Sequence, residues 1–595
     1  MFTNSINQLR SLSTNIDRTS RLSGQQAGFS SQSPAFGSSN INTLLTSMVL
    51  QMLIQLVQQL LSQLQQGHHG GQGQNGNNGN GNGNGNGNSN SNGNQGAEPE
   101  YRTIDGTGNN QQNTELGSTG QTYERLLDAD TTRGIGGTTE ATLSSAREIS
   151  NAVATQTEST ENRKGLSDMF WIWGQFLDHD ITLSAESHGE KANIAVPEGD
   201  PWFDPFNTGT AEIGFTRSVS TVGTDGVSRQ TNNITSFIDG SNVYGSDKET
   251  ADSLRSFSGG KLLANEVGMM PKNDEGSYMG GDVRANENAG LTSMHTLWMR
   301  EHNRVADELA QDNPEWTDEQ LYQEARRTVI AEIQAVTYNE FLPLLLGEDA
   351  LSKYDGYDPT VNPDITSSFA TAAYRFGHTM ISPTLLRLDE QGNEISEGNL
   401  SLREAFFKPE NVTEAGIDPI LRGAASQTAQ AVDTQVIDDL RNFLFGPPGA
   451  GGLDLVSLNI QRGRDHELPG YNDAREQLGL PRIESFDDPI WKEGVGEKLA
   501  QVYDSPDDVD LWVAGLAENY VGDSMLGETS TTILKQQFES LRDGDRFWYE
   551  NQFSGRELKE LNSLTLSDII QRNTEIENVQ DNVMVASNIH QSVTV

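Results

Sequence analysis

The stretch "WGQFLDHDITL", residues 173–183, places a histidine between two aspartates, with a glutamine four residues before the histidine. One residue of a helix is rotated by about 100° from the next, so Asp178, His179 and Asp180 point in three directions and are not expected to form one cluster. Gln175 and His179 lie four residues apart and therefore share a face. The stretch predicts a helix that serves three different sites at once.

The pair on the shared face favours proton-transfer chemistry. A neutral imidazole with an amide beside it is a suitable base for a small polar substrate above a cofactor. A histidine that is hydrogen-bonded to its neighbours inside the core is the alternative. This helix by itself leaves both interpretations open, and the other motifs of the chain decide between them.

Composition limits the classes of function. The chain has 595 residues, no cysteine and a formal net charge of −44, from 40 basic and 84 acidic residues. Disulfides, thiolate chemistry and cysteine-based zinc sites are therefore excluded. The acidic balance disfavours nucleic acid and anionic membranes as partners, favours solubility and offers many oxygen ligands for Ca²⁺.

The N-terminal region, residues 1–97, differs from the rest of the chain, because residues 22–97 contain no Lys, Arg, Asp or Glu. The Gly/Asn tract at 67–97 lacks the apolar surface that a fold needs and is predicted to be a disordered linker. The Gln/Leu segment at about 42–66 predicts an amphipathic, self-associating helix, with binding to a membrane surface as the alternative. Its glutamines argue against a membrane span.

Residues 98–585 have the composition of a globular protein and are predicted to form one large, mainly α domain, followed by a C-terminal tail at 586–595. Helical patterns dominate this domain, and strand-like alternation is sparse. The predicted helices cover residues 167–183, 291–311, 318–346, 366–380 and 434–446.

A second motif, "TSFIDGSNVYGS" at 235–246, offers several oxygen ligands. These are the side chains of Thr235, Asp239 and Ser241 together with the carbonyl of Phe237. An alternating run of oxygens in an acidic chain suits a hard cation such as Ca²⁺. Ordinary turn chemistry is the alternative, since Asp-Gly-Ser sequences are common in turns.

Three further stretches contain arginine and histidine at short spacing. "GGDVRANENAGLTSMHTLWMREHNR" (280–304) has a cation and a carboxylate three residues apart, Arg284 and Glu287, just before a predicted helix. A surface ion pair is the alternative reading of these two. "FATAAYRFGHTMISP" puts Arg375 three residues before His378 on a helical pattern, and "SLNIQRGRDHELPGYN" begins at residue 457.

These five stretches, in this order, resemble the animal-type haem peroxidases of the peroxidase–cyclooxygenase superfamily, in the form of a secreted bacterial member. The resemblance begins near "YRTIDGTGNN" at 101–110 and extends to about residue 585. It implies a mainly helical bundle around a central haem b, with hydrogen peroxide as the oxidant. The N-terminal region would then be an extension of this fold.

The resemblance assigns a role to each residue of the motifs. His179 matches the distal base, which takes a proton from peroxide and returns it to the leaving oxygen. Gln175 matches the amide that hydrogen-bonds water or halide, and Arg284 matches the distal arginine, which stabilises the separating O–O bond. Asp178 and Glu287 match the carboxylates that form ester links to haem methyl groups.

The remaining roles concern metals and the proximal side of the haem. His378 matches the iron ligand, and Asn459 matches the acceptor for the other ring nitrogen of that ligand. Arg375 matches an arginine that pairs with a haem propionate. The implied Ca²⁺ ligands are Asp180, Thr235, Phe237, Asp239 and Ser241.

The resemblance implies oxidation of bromide, iodide, thiocyanate or phenolic donors. The most oxidising family members have a methionine, linked to a haem vinyl, directly after the second ester-forming glutamate, where this chain has Asn288. Efficient chloride oxidation is therefore not expected.

Two other functions remain as alternatives. A fatty-acid dioxygenase of the same superfamily needs a tyrosine three residues before the iron ligand, but that position is Arg375, and Tyr374 lies four residues before it. The sequence therefore favours a peroxidase. A secreted elicitor-like binding protein, acting through residues 1–97, is the second alternative, because that region is similar in composition to bacterial harpins. Secretion without a cleaved signal peptide is expected, because the first long apolar run begins far from residue 1.

Overall fold

Helices dominate residues 100–587, the part of the chain that the computed structural model describes. The segment at 42–66, the linker at 67–97 and the tail beyond residue 587 lie outside the described residues. The α-helices are α1 (Ala146–Val153), α2 (Asp168–Ile181), α3 (Ser241–Tyr244), α4 (Lys248–Leu254), α5 (Ala289–Asp312), α6 (Asp318–Val336), α7 (Leu342–Leu346), α8 (Ser367–Thr371), α9 (Leu402–Ala405), α10 (Glu410–Ala415), α11 (Asp418–Ser426), α12 (Asp438–Arg441), α13 (Leu455–Asp465), α14 (Tyr471–Gln477), α15 (Val495–Leu499), α16 (Leu511–Ala517), α17 (Glu528–Asp543), α18 (Tyr549–Gln552), α19 (Gly555–Asn562) and α20 (Leu566–Asn573).

The strands are short and form antiparallel pairs, β1 with β4, β2 with β3, β5 with β6 and β7 with β8. The prediction of a mainly α fold is confirmed. None of the helices within residues 100–587 is long and apolar enough to cross a membrane. The strands are β1 (Glu186–Lys191), β2 (Ile194–Ala195), β3 (Glu212–Ile213), β4 (Thr216–Ser218), β5 (Ser220–Val222), β6 (Ser228–Gln230), β7 (Thr384–Leu385) and β8 (Leu400–Ser401).

Helix α2, predicted from the opening stretch, lies in the core and packs against α5. Its Trp173 and Phe176 have no exposed surface. Their rings contact Trp298 of α5, with centroid distances of 5.8 Å and 6.3 Å. A helix that is apolar on most of its circumference is buried on most sides, so the polar residues of α2 lie inside the protein.

Two other predicted helices are confirmed. Helix α5 covers the predicted 291–311, and Asn288 caps its N-terminus by accepting a hydrogen bond from the backbone N–H of Leu291. The predicted helix at 318–346 is continuous but changes its winding: α6 passes through a π-helical turn, Thr337–Phe341, before α7.

The predicted helices at 366–380 and 434–446 are wrong in part. The first is broken at Ala372 (φ −132°, ψ −73°), and the chain continues as a 3₁₀-helix, Ala373–Thr379, which carries His378. The second contains only the short α12, because its two ends form bridges with Thr155 and Leu453 instead of continuing the helix.

Candidate active site

Helix α2, the loop before α5, the 3₁₀-helix and α13 contribute to one cavity with a volume of about 270 Å³. Each candidate residue for peroxide or haem lines this cavity except Asn459, which lies behind His378. The polar lining consists of Gln175, Asp178, His179, Arg284, Glu287, Asn288, Arg375 and His378. The apolar lining includes Phe170, Trp171, Phe376, Ile381, Leu402, Phe406, Leu440, Leu444, Phe445, Leu455 and Leu458.

His179 is a buried, neutral base. Only 3% of its surface is exposed. Burial, together with the charge of Arg284, keeps the pKa of His179 well below its usual value. Its Nδ1 makes no hydrogen bond and lies 3.8 Å from Oδ1 of Asp282. Since Nδ1 is enclosed, Nε2 is the nitrogen available to the cavity.

Arg284 is held rigidly by Asp282. Its Nε and Nη2 donate to the two carboxylate oxygens of Asp282 at 2.9 Å and 2.8 Å, and Nη2 also donates to the carbonyl of Thr182 at 2.8 Å. Burial alone would lower the pKa of Arg284, but the neighbouring Asp282 and Asp178 raise it above the usual range. Nη1 makes no hydrogen bond, and the nearest carboxylate oxygen, Oδ2 of Asp178, is 3.6 Å away.

Gln175 is fixed at both ends of its amide. Its Nε2 donates to Oε1 of Glu287, and its Oε1 accepts from Nδ2 of Asn288, both at 2.9 Å. Burial raises the pKa of Glu287 to about 7. Only the second N–H of this amide is therefore available for the predicted contact with water or halide.

Asp178 lies near the C-terminal end of α2 and lines the cavity. One carboxylate oxygen accepts from the hydroxyl of Thr182 at 2.8 Å, and the other is the neighbour of Arg284. Burial raises the pKa of Asp178 above its usual value, although Arg284 counteracts this. Asp178 and Glu287 are therefore two half-buried carboxyl groups on the wall of the same cavity.

The other histidine that lines the cavity, His378, contacts the side-chain amide of Asn459. Its Nδ1 lies 2.8 Å from Nδ2 of Asn459, whose Oδ1 accepts from Nη1 of Arg375 at 2.9 Å. The predicted acceptor role of Asn459 requires the amide to be rotated by 180°, which exchanges its oxygen and nitrogen. Burial and Arg375 lower the pKa of His378 to about 3, so its imidazole is neutral and able to bind a metal.

The candidate calcium ligands lie around Asp180. The carboxylate of Asp180 accepts from the backbone N–H groups of Gly240 and Asn242 at 3.2 Å and 3.4 Å, and its carbonyl accepts from the hydroxyl of Ser241 at 2.7 Å. The hydroxyl of Thr235 donates to Asp239 at 2.9 Å.

Two buried acids meet at this candidate site, Asp180 of α2 and Asp239 of the loop. Burial raises the pKa of Asp180, and the neighbouring Asp239 raises it further. Oδ2 of Asp239 is buried without a hydrogen bond. Within residues 100–587, no cluster of three or more His, Cys, Asp or Glu side chains could hold a metal. A cation here would therefore need hydroxyl and carbonyl oxygens besides the two carboxylates, as Ca²⁺ accepts.

The candidate calcium loop is connected to the catalytic residues by hydrogen bonds. Nδ2 of Asn242 donates to the carbonyl of Phe176 on α2 at 2.6 Å. The carbonyl of Asn242 accepts from the backbone N–H of Asp282 at 3.2 Å. The loop that surrounds Asp180 thus positions both α2 and the segment that carries Arg284.

Sequence reasoning missed Asp282, which contacts both candidate catalytic groups. The sequence contained a signal, because Asp282 lies two residues before Arg284 in the quoted motif. An aspartate at that spacing resembles turn chemistry, and its approach to His179, 103 positions earlier in the chain, is visible only in the fold.

A family profile described as "Animal haem peroxidase" matches residues 101–584. The chain belongs to the animal haem peroxidase family. It is therefore a peroxidase, an oxidoreductase that acts on hydrogen peroxide and a donor, and the family implies haem as its cofactor.

Two similar proteins illustrate the range of this family. Peroxinectin A of Dictyostelium discoideum is 37% identical over 513 residues, which cover 81% of this chain and 95% of that protein. The peroxidasin homologue of Mus musculus is 39% identical over 550 residues, which cover 81% of this chain but only 37% of that protein. This chain thus corresponds to one part of the longer relative.

Solved structures agree with the family assignment. Peroxidase A from Dictyostelium discoideum matches with a TM-score of 0.75 and 36% identity, covering 82% of this chain and all of that one. The fatty acid alpha-dioxygenase of Oryza sativa, with a TM-score of 0.70 and 22% identity, shows similarity of fold alone. In this haem peroxidase, the residue three before His378 is Arg375, and the hydroxyl of Tyr374 is buried without a partner.

Proposed function

We propose that the cavity holds haem b with His378 as the iron ligand, and that the enzyme uses hydrogen peroxide to oxidise bromide, iodide, thiocyanate or phenolic donors. One observation carries the proposal. A neutral histidine backed by an amide lines the same cavity as a second neutral histidine and a fixed arginine.

The residues present fit a haem group. The cavity is large and mostly apolar, as a porphyrin requires, and it has an imidazole that can ligate iron. Arg375 lines the cavity. Its Nε donates to the carbonyl of Ala370 and its Nη1 lies 2.9 Å from the amide of Asn459, which leaves Nη2 for a propionate. Asp178 and Glu287 are available for ester links.

The bound haem would supply the iron centre at which peroxide is reduced. The protein supplies the proton transfer: Nε2 of neutral His179 accepts a proton from one peroxide oxygen and delivers it to the oxygen that leaves. Nη1 of Arg284 provides a fixed positive charge for the negative charge that develops on oxygen. The remaining N–H of Gln175 orients the small substrate.

The choice of donor is the first test. We expect steady-state turnover of bromide, iodide, thiocyanate and a phenol at neutral pH, and poor turnover of chloride, because Asn288 cannot form the sulfonium link that raises the oxidising power of the iron. Each donor is compared at equal peroxide concentration. Efficient chloride oxidation at neutral pH would contradict the role given to Asn288.

Replacing this residue has a structural cost. In an Asn288→Met variant, the cap of α5 is lost, which we expect to cost about 1 kcal/mol of stability. The hydrogen bond to Gln175 is also lost. An Asn288→Ala variant loses the same two contacts without offering a thioether, and is the matched control for any chloride activity that methionine adds.

The second prediction concerns covalent attachment of the haem. After treatment with peroxide, the haem should resist extraction with acidified organic solvent, because Asp178 and Glu287 both line the cavity. Asp178→Ala and Glu287→Ala should each leave one link, and the double variant should release the haem. Full extraction from the peroxide-treated wild-type protein would contradict both ester assignments.

The third prediction concerns calcium. Asp239→Ala should remove the ion and lower peroxidase activity together, because the loop around Asp180 positions α2 and Asp282. Elemental analysis and activity are measured on the same preparation. The control is Asp225→Ala, an exposed acid in a turn. Active wild-type protein without calcium would contradict the assignment of this site.

Secretion without a cleaved signal peptide, self-association through 42–66 and an elicitor-like activity of 1–97 concern residues outside the described range and stay predictions. A truncated protein that begins at residue 98 tests them. It should keep full peroxidase activity and lose self-association. An activity on other cells that disappears with residues 1–97 would support the elicitor-like alternative for that region.

A further inference from the structure

One buried carboxylate, Asp282, lies behind both candidate catalytic groups. Its side chain is 1% exposed. It accepts from Nε, Nη2 and the backbone N–H of Arg284 at 2.9 Å, 2.8 Å and 2.7 Å. Its Oδ1 also lies 3.8 Å from Nδ1 of His179. The catalytic base and the catalytic cation therefore share one anionic neighbour.

The contacts to Arg284 decide which part of the guanidinium is available. A two-point contact between guanidinium and carboxylate fixes orientation as well as charge. Asp282 occupies Nε and Nη2, and Nη2 also donates to the carbonyl of Thr182, so Nη1 is the terminal nitrogen left for the cavity. Without Asp282, the same side chain is free to turn toward the half-buried acids Asp178, 3.6 Å from Nη1, and Glu287.

The position of Asp282 beside His179 determines which ring nitrogen of His179 carries the proton. Nδ1 of His179 is enclosed and makes no hydrogen bond, and Asp282 holds the closest carboxylate oxygen. A negative group on that side favours the tautomer with the proton on Nδ1. In that tautomer, Nε2 has a free lone pair and can accept a proton from a substrate in the cavity.

We propose that Asp282 is a positioning residue that aligns Arg284 and His179 for the reaction with hydrogen peroxide. The inference rests on the proposed catalytic roles of these two residues, and it adds Asp282 as the residue that holds them in place. The backbone N–H of Asp282 donates to Asn242 of the candidate calcium loop, which gives the carboxylate a fixed place relative to α2. No part of the proposed haem contact involves Asp282, so its effect acts through the two neighbours.

The test is Asp282→Asn in the haem-loaded, full-length protein. The amide keeps the size of the side chain but has one acceptor oxygen in place of two, so it cannot accept from Nε and Nη2 of Arg284 in a two-point contact. We expect kcat/KM for peroxide to fall about tenfold to hundredfold, as for a small misplacement of catalytic groups. The dissociation constant of cyanide, measured by absorption, should rise by about tenfold or more. A crystal structure of the variant should show the guanidinium of Arg284 displaced.

The matched control is Glu301→Gln, which changes another buried carboxylate. Glu301 is fully buried and accepts from Nε and Nη2 of Arg304 at 2.8 Å and 2.6 Å, remote from the lining of the cavity. We expect it to leave cyanide binding and peroxide kinetics unchanged. If Asp282→Asn does not fold, Asp282→Ser, with room for a water, is tested with the same expectations.

A double variant, Asp282→Asn with Arg284→Ala, distinguishes a failure of this inference from a failure of the proposed role of Arg284. The cost of Asp282→Asn should shrink at least severalfold when Arg284→Ala is already present, because the two act together. An undiminished cost, or a variant no worse than Glu301→Gln, would overturn the inference and leave the proposed function standing. An Arg284→Ala variant with wild-type peroxide kinetics would overturn the proposed role of Arg284, and the inference with it.

Discussion

His378→Ala should leave the protein unable to hold haem at a stoichiometry near one, because the axial bond to iron has no substitute. Within the described residues, His378 and His179 are the only histidines that line the cavity. His179 is fixed in the core helix α2, with its Nδ1 enclosed. We expect the variant to fold, to lose the absorption of bound haem and to lose peroxidase activity completely.

The measurement is the absorption spectrum after reconstitution with haem, together with the unfolding temperature. A matched control is His302→Gln, since His302 is also fully buried but bonds to Tyr244 and Gly260 away from the cavity. Imidazole added to His378→Ala should restore part of the haem binding by occupying the vacated space. A spectrum of histidine-ligated haem in the variant without added imidazole would contradict the assignment.

The sequence predicted those elements whose apolar pattern and burial agree. Helix α2 is apolar on most sides and buried on most sides, so its pattern could be read directly. The prediction of one helix over 434–446 was wrong because its apolar residues are buried for another reason. Leu440 and Leu444 are apolar because they line the cavity, and not because they form one face of a long helix.

The break at Ala372 was not visible in the sequence, because alanine is the best helix former. The chain leaves the α-helix there, and the backbone of Arg375 and the indole of Trp512 on α16 hydrogen-bond across the turn that follows. Tertiary contacts overrode local propensity at the segment that presents His378. The hydrogen bond of Gln175 to Glu287 also depends on the tertiary fold, because the two residues are 112 positions apart in the chain.

His179→Ala should keep the haem and slow the reaction with hydrogen peroxide by at least about a hundredfold, a typical contribution of a positioned general acid–base. The haem should remain because His378 and Asn459 are untouched. The rate should fall because no other cavity nitrogen is available as a base. Arg284 stays protonated beside Asp282, the amide nitrogen of Gln175 is not basic, and His378 serves as the iron ligand.

The rate of the first reaction with peroxide is measured by stopped-flow absorption, so that the donor does not enter the result. His295→Gln is an informative comparison, because this buried histidine packs against Phe176 on α2 without lining the cavity. A loss confined to His179→Ala shows that the effect comes from the proton acceptor and not from a void in the core. A rate within a factor of a few of the wild type would mean that His179 is structural, and the role of base would then have to pass to Glu287, whose pKa burial raises to about 7 on the wall of the same cavity.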